Sequence, residues 1–366
     1  MNLTLLGGLI FVAVFDGIIL SHEFGHFIAA RSVGIEVEEF GVGFPPRLLT
    51  LFTWKGTKFT LNLIPLGGFN RWKGEEDPEV KGGFYAAKPW KRFIALLAGS
   101  FMNLAIAVLA FTILYYQVGI PDPTQVQILD VAPNSPAQTA GIKIDDIVLT
   151  ADSVKVTSID QFRSLIASHL DRNLPLTILR GSENIVLVVI PDSKRTSDVG
   201  ATGILLGNTL TPVHSWFETI PISFRATYAT GRELLSLPGR LIAGVVKPSD
   251  AKLLGPRSIW NLFQQSVTRD VQSREPTSNN SPQIPTNYTL TGIISLTLSL
   301  GLINLFPIPA LDGGRILFLL PELLFHKRIS PRYESMIHGA AFLIIIIFLG
   351  YFYIADFIHP ISFLLP

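Results

Sequence analysis

The chain has 366 residues, enough for two or three domains, of which 48% are hydrophobic and only 16% charged, with a mean hydropathy of +0.42. A charged fraction so far below the quarter or so of soluble domains points to a membrane protein. The net charge of +1 without a basic tract removes the electrostatic basis for nucleic-acid binding, and the absence of Cys removes disulfides, thiol nucleophiles and thiolate metal sites.

Four apolar segments reach bilayer length: Leu3–Ala30, Phe93–Tyr116, Leu290–Leu320 and Met336–Ile358. About 20 residues cross a hydrocarbon core of ~30 Å, so each can span. The opening MNLTLLGGLIFVAVF carries no basic flank and no small-residue cleavage site, so a retained span is expected. The segment 31–92 holds ten Lys or Arg, and 321–335 holds Lys327, Arg328 and Arg332 against Glu322 and Glu334. The positive-inside rule places both on the cytoplasmic side, with the long segment 117–289 outside. Within 31–92, Phe59, Leu61 and Leu63 alternate with Lys58, Thr60 and Asn62, and Lys55-Gly56 can turn a hairpin.

Residues 125–192 alternate short β-branched runs with turns and one helical stretch, which reads as a compact mixed domain. Trp216, Ile220, Phe224 and Tyr228 then recur every four residues with Arg225 and Arg232 off that stripe. Such a helix either lies on the membrane surface or packs on the outer domain. Residues 264–286 are polar and rich in Pro, Ser and Asn, so a mobile linker is expected. Asn287-Tyr288-Thr289 is a glycosylation triplet by pattern only.

His22-Glu23-Phe24-Gly25-His26 matches H-E-x-x-H inside the first apolar segment. Residues four apart share a helix face, so both imidazoles can bind one Zn²⁺ while Glu23 takes a proton from a metal-bound water. Each charged group at mid-bilayer costs about 2.5–3.5 kcal/mol, and a purely structural reading leaves Glu23 unexplained. A hydrolytic zinc usually has three protein ligands. The remaining histidines, His169, His214, His326, His338 and His359, read as surface or interface residues. Asp312, in NLFPIPALDGGRILF, stands deep in the third segment behind Pro307 and Pro309. Irregular backbone at that depth must be buried in protein or line a wet cavity. Asp312 is therefore read as the third ligand, with a helix cap or a salt bridge to Arg315 as the alternative. Asp16 is left without a role.

These motifs together identify the chain as resembling the site-2 protease family of zinc intramembrane proteases, in the bacterial group with four spans and an outer PDZ domain. The resemblance rests on HEFGH, NLFPIPALDGG, FGVGFPPRL, KFTLNLIPLGGFNRWKGE and KPWKRFIALLAGSFMN, and covers nearly the whole chain. It implies an α-helical polytopic membrane protein with a re-entrant β-hairpin region and one extracytoplasmic α+β PDZ domain. The implied order is a span over 1–30, a cytoplasmic-side loop over 31–92 and a second span over 93–116. A PDZ domain over 121–195, outer amphipathic helices and linker over 207–289, a broken span over 290–320 and a last span over 336–358 follow. His22, His26 and Asp312 would ligate Zn²⁺ and Glu23 would be the general base. Asn304 would hold substrate backbone, with Phe59, Leu61, Leu63, Pro307 and Pro309 as further substrate contacts. A hairpin edge near the metal could hold substrate as an added strand, or the hairpin could only plug the mouth of the site.

The PDZ resemblance lies in VAPNSPAQTAGIKIDDIVLTADSVKV, 131–156, and implies a bound peptide or free carboxyl terminus as partner. The expected function is cleavage of single-span membrane proteins, either anti-sigma factors after a first outer cut or remnant signal peptides, at the plasma (inner) membrane. A catalytically inactive PDZ scaffold is the rival reading, and the intact Glu23 and Asp312 speak against it. A transporter with a broken helix leaves the His-Glu-His pattern unexplained.

Overall fold

The computed structural model describes residues 3–75, 77–195, 200–244, 255–274 and 287–358. Its first helix, α1 (Leu3–Ser32), runs 30 residues without a proline, and its ionisable residues begin only at Asp16. A hairpin of two long strands, β1 (Val37–Trp54) and β2 (Thr57–Trp72), follows, and then α2 (Pro89–Val118), which starts on a proline as helices tolerate. The helices Leu5–Ser32, Pro89–Val118 and Pro331–Ile358 are long and apolar enough to cross a membrane. The third apolar segment is broken as expected, but the break makes two helices rather than one long kinked helix.

The chain divides into two compact units, one of residues up to Leu114 and from Ile220 onward, the other Tyr115–Thr219. The second unit contains β3 (Ile120–Val131), α3 (Pro136–Thr139), β4 (Ile147–Ala151), β5 (Val154–Lys155), α4 (Ile159–Ser168), β6 (Leu174–Arg180), β7 (Glu183–Val189) and β8 (Ile204–Thr211). Its sheet has the order β7-β6-β4-β3-β8, with β5 on β4. Phe162, Val126, Ile128, Leu174, Leu176 and Ile178 form its core. Ser135 caps α3 by accepting the Gln138 N–H at 3.1 Å, with Pro136 in the first helical turn. The domain boundary expected at 195 falls short, because β8 completes the sheet by pairing with β3. Hydrogen bonding of the β3 edge, which sequence spacing does not report, accounts for the difference.

In the first unit both hairpin strands bend and pair twice. Val37–Val42 pairs with 58–61 on one side and 68–72 on the other, while 47–54 pairs with 57–62. Trp54 pairs with Thr57 across Lys55 and Gly56, both at positive φ, as the two-residue turn requires. The alternation has the expected period, yet Thr60 and Asn62 face inward. Thr60 donates to Glu39 at 2.8 Å and Asn62 to the Gly43 carbonyl at 3.0 Å, and Glu39 also holds Arg47 at 2.6 Å.

The helices α5 (Trp216–Ile242) and α6 (Pro256–Gln272) precede α7 (Tyr288–Ile303), α8 (Asp312–Phe325) and α9 (Pro331–Ile358). On α5 the stripe of Trp216, Ile220, Phe224 and Tyr228 is exposed, and another face, Thr219, Ser223 and Thr227, is buried. The expected linker begins as helix: residues 264–272 belong to α6, and 275–286 lie outside the described residues, as does His359. Helix α6 forms because Phe263 and Val267 are buried four apart, and Trp260 and Phe263 stack edge-on against Phe11 of α1 at 5.5 and 5.4 Å. Asp270 near its end accepts the Tyr288 and Thr289 N–H groups, each at 2.9 Å, and so caps α7.

Asp146 anchors the second unit. Its carboxylate is fully buried, accepts two bonds from Arg180 at 2.7 and 2.8 Å, and accepts the Lys143 N–H at 2.8 Å. Asp146→Ala removes the carboxylate from Arg180, which keeps only its bond to the Gly141 carbonyl at 2.7 Å, and strands the Lys143 N–H, so a loss of roughly 2–4 kcal/mol is expected. Hydrogen exchange on β4 and β6 should accelerate accordingly, and unchanged protection there would refute this anchoring role.

Candidate metal centre

The four-residue spacing puts His22 and His26 on one face of α1, with their Nε2 atoms 3.1 Å apart and both rings buried. Asp312 is the first residue of α8, and its Oδ2 stands 3.0 Å from His22 Nε2 and 3.2 Å from His26 Nε2. Three donor atoms from distant parts of the chain thus converge on one point. The salt-bridge alternative does not describe Asp312, since Arg315 pairs with Glu75 at 2.7 Å.

The residues fit a metal. His26 Nδ1 donates to the Ala95 carbonyl at 2.7 Å, which fixes the proton there and leaves Nε2 with its lone pair toward His22 and Asp312. The Asn103 amide lies 3.3 Å from His22 Nδ1, and its Oδ1 is buried without a partner. With the amide turned so that this oxygen faces the ring, it accepts the Nδ1 proton and frees His22 Nε2 as well. A shared proton can satisfy two of three electron-pair donors packed this closely, whereas a divalent cation satisfies all three. Two imidazoles and a carboxylate are a donor set suited to zinc.

Space for the centre is kept by α2. A Cβ on Gly99 would run into His26 Nε2 and stand 2.7 Å from His22 Nε2. Ala95, Gly99 and Asn103 recur every four residues and present to α1 a carbonyl, a gap and an amide. That spacing is visible in the sequence, where it was read only as part of an apolar span.

The hairpin docks on the same helix. Asn70 of β2 donates to the Glu23 carboxylate at 2.8 Å and to the Glu23 carbonyl at 2.6 Å. Asp16, left without a role by the sequence, accepts the Gly67 N–H at 3.0 Å one helical stretch earlier. Of the expected substrate contacts, Asn304 reaches the centre, with Nδ2 3.2 Å from His22 Nε2. Pro307 and Pro309 lie in the segment 304–311 that joins α7 to α8. Phe59 and Leu61 do not offer a free edge: their strand segment pairs on both sides, and Phe59 stacks on Phe52 at 4.5 Å and meets Phe27 at 5.5 Å. Leu63 is exposed. The double use of each bent strand, invisible in a local alternation pattern, is the reason. Sequence reasoning also missed Asn70, Asn103, Gly99 and His338, whose Nδ1 accepts the Ala310 N–H at 2.7 Å.

A family model described as peptidase family M50 matches residues 10–348. The chain belongs to peptidase family M50. A Clostridium perfringens protein with the assigned name of a zinc metalloprotease is 30% identical over 352 residues, covering 95% of this chain and 97% of its own. One from Campylobacter jejuni, similarly named, is 30% identical over 339 residues, 88% of this chain and 85% of its own. Zinc metalloprotease RasP of Oceanobacillus iheyensis is 25% identical over 426 residues, 92% of this chain and 95% of its own. As an M50 member the chain is a metalloprotease, and its apolar helices make it a multi-pass membrane protein.

Two substitutions in this M50 centre give separable outcomes. Gly99→Ala favours α2 by about 1 kcal/mol in helix propensity, so the fold is expected to survive while zinc per purified chain falls well below that of wild type. Full zinc content in the variant would contradict the crowding. Asn70→Ala removes a charge-assisted hydrogen bond to the carboxylate, about 1.5–3 kcal/mol, which corresponds to roughly 10- to 100-fold in turnover. The expected drop is in kcat with KM and zinc content retained, as steady-state kinetics and metal analysis would report.

Proposed function

We propose that this M50 protein is a zinc-dependent endopeptidase that cuts single-span membrane proteins within or beside the bilayer. His22, His26 and Asp312 would hold the Zn²⁺. When bound, the metal polarises a carbonyl and lowers the pKa of its water to about 7. Glu23, next to His22 and held by Asn70, receives the proton of the attacking water and passes it to the leaving amine. Asn304 holds substrate backbone at the centre. The observation that carries the reading is the convergence of the three donor atoms beside a carboxylate inside an otherwise apolar helix.

A peptide bond in a helix is shielded by its own hydrogen bonds, so substrate must be extended before it is cut. The 68–72 segment of β2 is an outer strand of the hairpin sheet and touches Glu23 through Asn70, so it is the edge to which substrate adds. This replaces the edge at Phe59 and Leu61. The spans are four in this reading: α1, α2, the α7–α8 pair and α9. The basic residues in 31–92 and 321–335 support cytoplasmic connections and an outer position for the unit 115–219, at the plasma membrane of a bacterium. That unit is taken as a PDZ domain that binds an extended peptide or carboxyl terminus. Anti-sigma factors after a first cut, or remnant signal peptides, are the substrates this arrangement suits.

The test is Glu23→Gln in the full-length protein. The variant should retain about one zinc per chain and lose cleavage of a co-expressed single-span substrate. Cleavage at wild-type rate by the Gln variant would refute the mechanism.

A further inference from the structure

We propose that His338, on the last span, is a positioning residue for Asp312: its Nδ1 fixes the backbone of the segment that delivers this carboxylate to the metal centre. The proposal rests on reading His22, His26 and Asp312 as that centre. Three observations carry it.

Ala310 lies two residues before Asp312 and has φ +80°, a backbone region that an L residue enters only under strain. Strain of this kind persists where the surroundings over-determine it. Around Ala310 the amides of Leu311 and Gly313 are held within the segment, by the Ile308 carbonyl at 3.1 Å and the Asn304 carbonyl at 2.7 Å. The Ala310 N–H instead donates out of the segment, to His338 Nδ1 at 2.7 Å. His338 is therefore the side chain from another element that holds the strained residue.

The imidazole is itself held in one orientation. A backbone N–H only donates, so Nδ1 is the acceptor and the ring proton sits on Nε2. The ring packs against Phe318 of α8 with centroids 5.3 Å apart. Nε2 is buried with no hydrogen-bond partner among the described residues, beside a cavity of about 300 Å³ lined also by Glu75, Arg315 and Glu334.

Besides His338, α9 is anchored near its start by Glu334, which accepts from Tyr85, and near its end by Asp356 and the Phe357 carbonyl, which meet Arg257 and Ser258. Asp356 is its one buried residue among those described. A histidine near the start of a loosely packed span, bonded to the backbone two residues from a ligand, ties that span to the geometry of the centre. Rotation at Ala310 would swing Leu311 and Asp312 together and move Oδ2 away from the two Nε2 atoms. Partners of this kind, one step removed from a metal, typically change affinity 10- to 100-fold when lost.

The test uses the metal-free full-length protein in detergent, titrated with Co²⁺ and followed by its visible d–d absorption. His338→Asn places Oδ1 where Nδ1 now lies and keeps an acceptor for Ala310. His338→Gln puts its amide at the Nε2 position and does not. The expected result is near wild-type Co²⁺ affinity and spectrum for the Asn variant, and roughly 10- to 100-fold weaker binding with a weaker tetrahedral spectrum for the Gln variant. Equal affinity in wild type and Gln, or loss in Asn with retention in Gln, would overturn the proposal. A double variant, Ala310→Gly with His338→Gln, should recover affinity because glycine takes positive φ without strain. It also keeps the test open if the Gln variant alone does not fold. No recovery in a folded double variant would likewise count against it. Absence of Co²⁺ binding by wild type would instead overturn the metal centre itself, a result distinct from any difference among the His338 variants.

Discussion

An imidazole pair, a carboxylate and a second acid beside them are held inside helices that are otherwise built to contact lipid. Each such group is expensive in an apolar medium, and the expense is tolerated only where partners are supplied. Here the partners come from every nearby element. Asp312 reaches across from α8 to both histidines, Ala95 and Asn103 of α2 address their outer nitrogens, and Asn70 of β2 holds Glu23. The packing of α1 against α2, the hairpin and the broken segment is thus organised around one small volume. Gly99 keeps that volume open, and a metal completes it.

The hairpin is more than an insertion between the first two helices. Asp16 and Asn70 bond it to α1 at two levels, and the buried Glu39 carboxylate accepts from buried Thr60 and pairs with the exposed Arg47 and Arg71. Buried polar groups that bond across elements define register and orientation as well as stability. A strand edge held this way lies at a fixed distance from Glu23, which is what an added substrate strand would need.

Other acids on the helices of the first unit are accounted for by the same rule. Asp356 near the end of α9 accepts the Arg257 and Ser258 N–H groups at 2.8 and 3.0 Å and caps α6. Asp270 caps α7, and Glu322 at the end of α8 joins Arg92 and Arg328. Acids that cap helices or pair with guanidinium groups serve packing. The cluster of His22, His26 and Asp312 differs because its three donor atoms face one another with no cation from the chain among them.

Spacing along the chain determined by itself the parts that depend on local periodicity. These are the apolar stretches of α1, α2 and α9, the histidines one turn apart with Glu23 beside them, the turn at Lys55-Gly56, and the break at Pro307 and Pro309; α2 and α9 each start several residues earlier than their apolar stretch. Asp312 was legible as a group that must meet another, because a carboxylate at that depth demands a partner, and it stands against both histidines. The partners themselves were not legible. Asn70 and Asn103 carry ordinary side chains and Gly99 none, so their meaning lies in what stands opposite, and His338 read as a surface or interface residue. The sheet edge misplaced at Phe59 and Leu61, the β8 strand beyond residue 195 and the helix running through 264–272 failed for one reason. Each is decided by a contact with sequence-distant chain, whether strand pairing or burial against α1, and a local pattern of polar and apolar residues records only that a face exists, not what covers it.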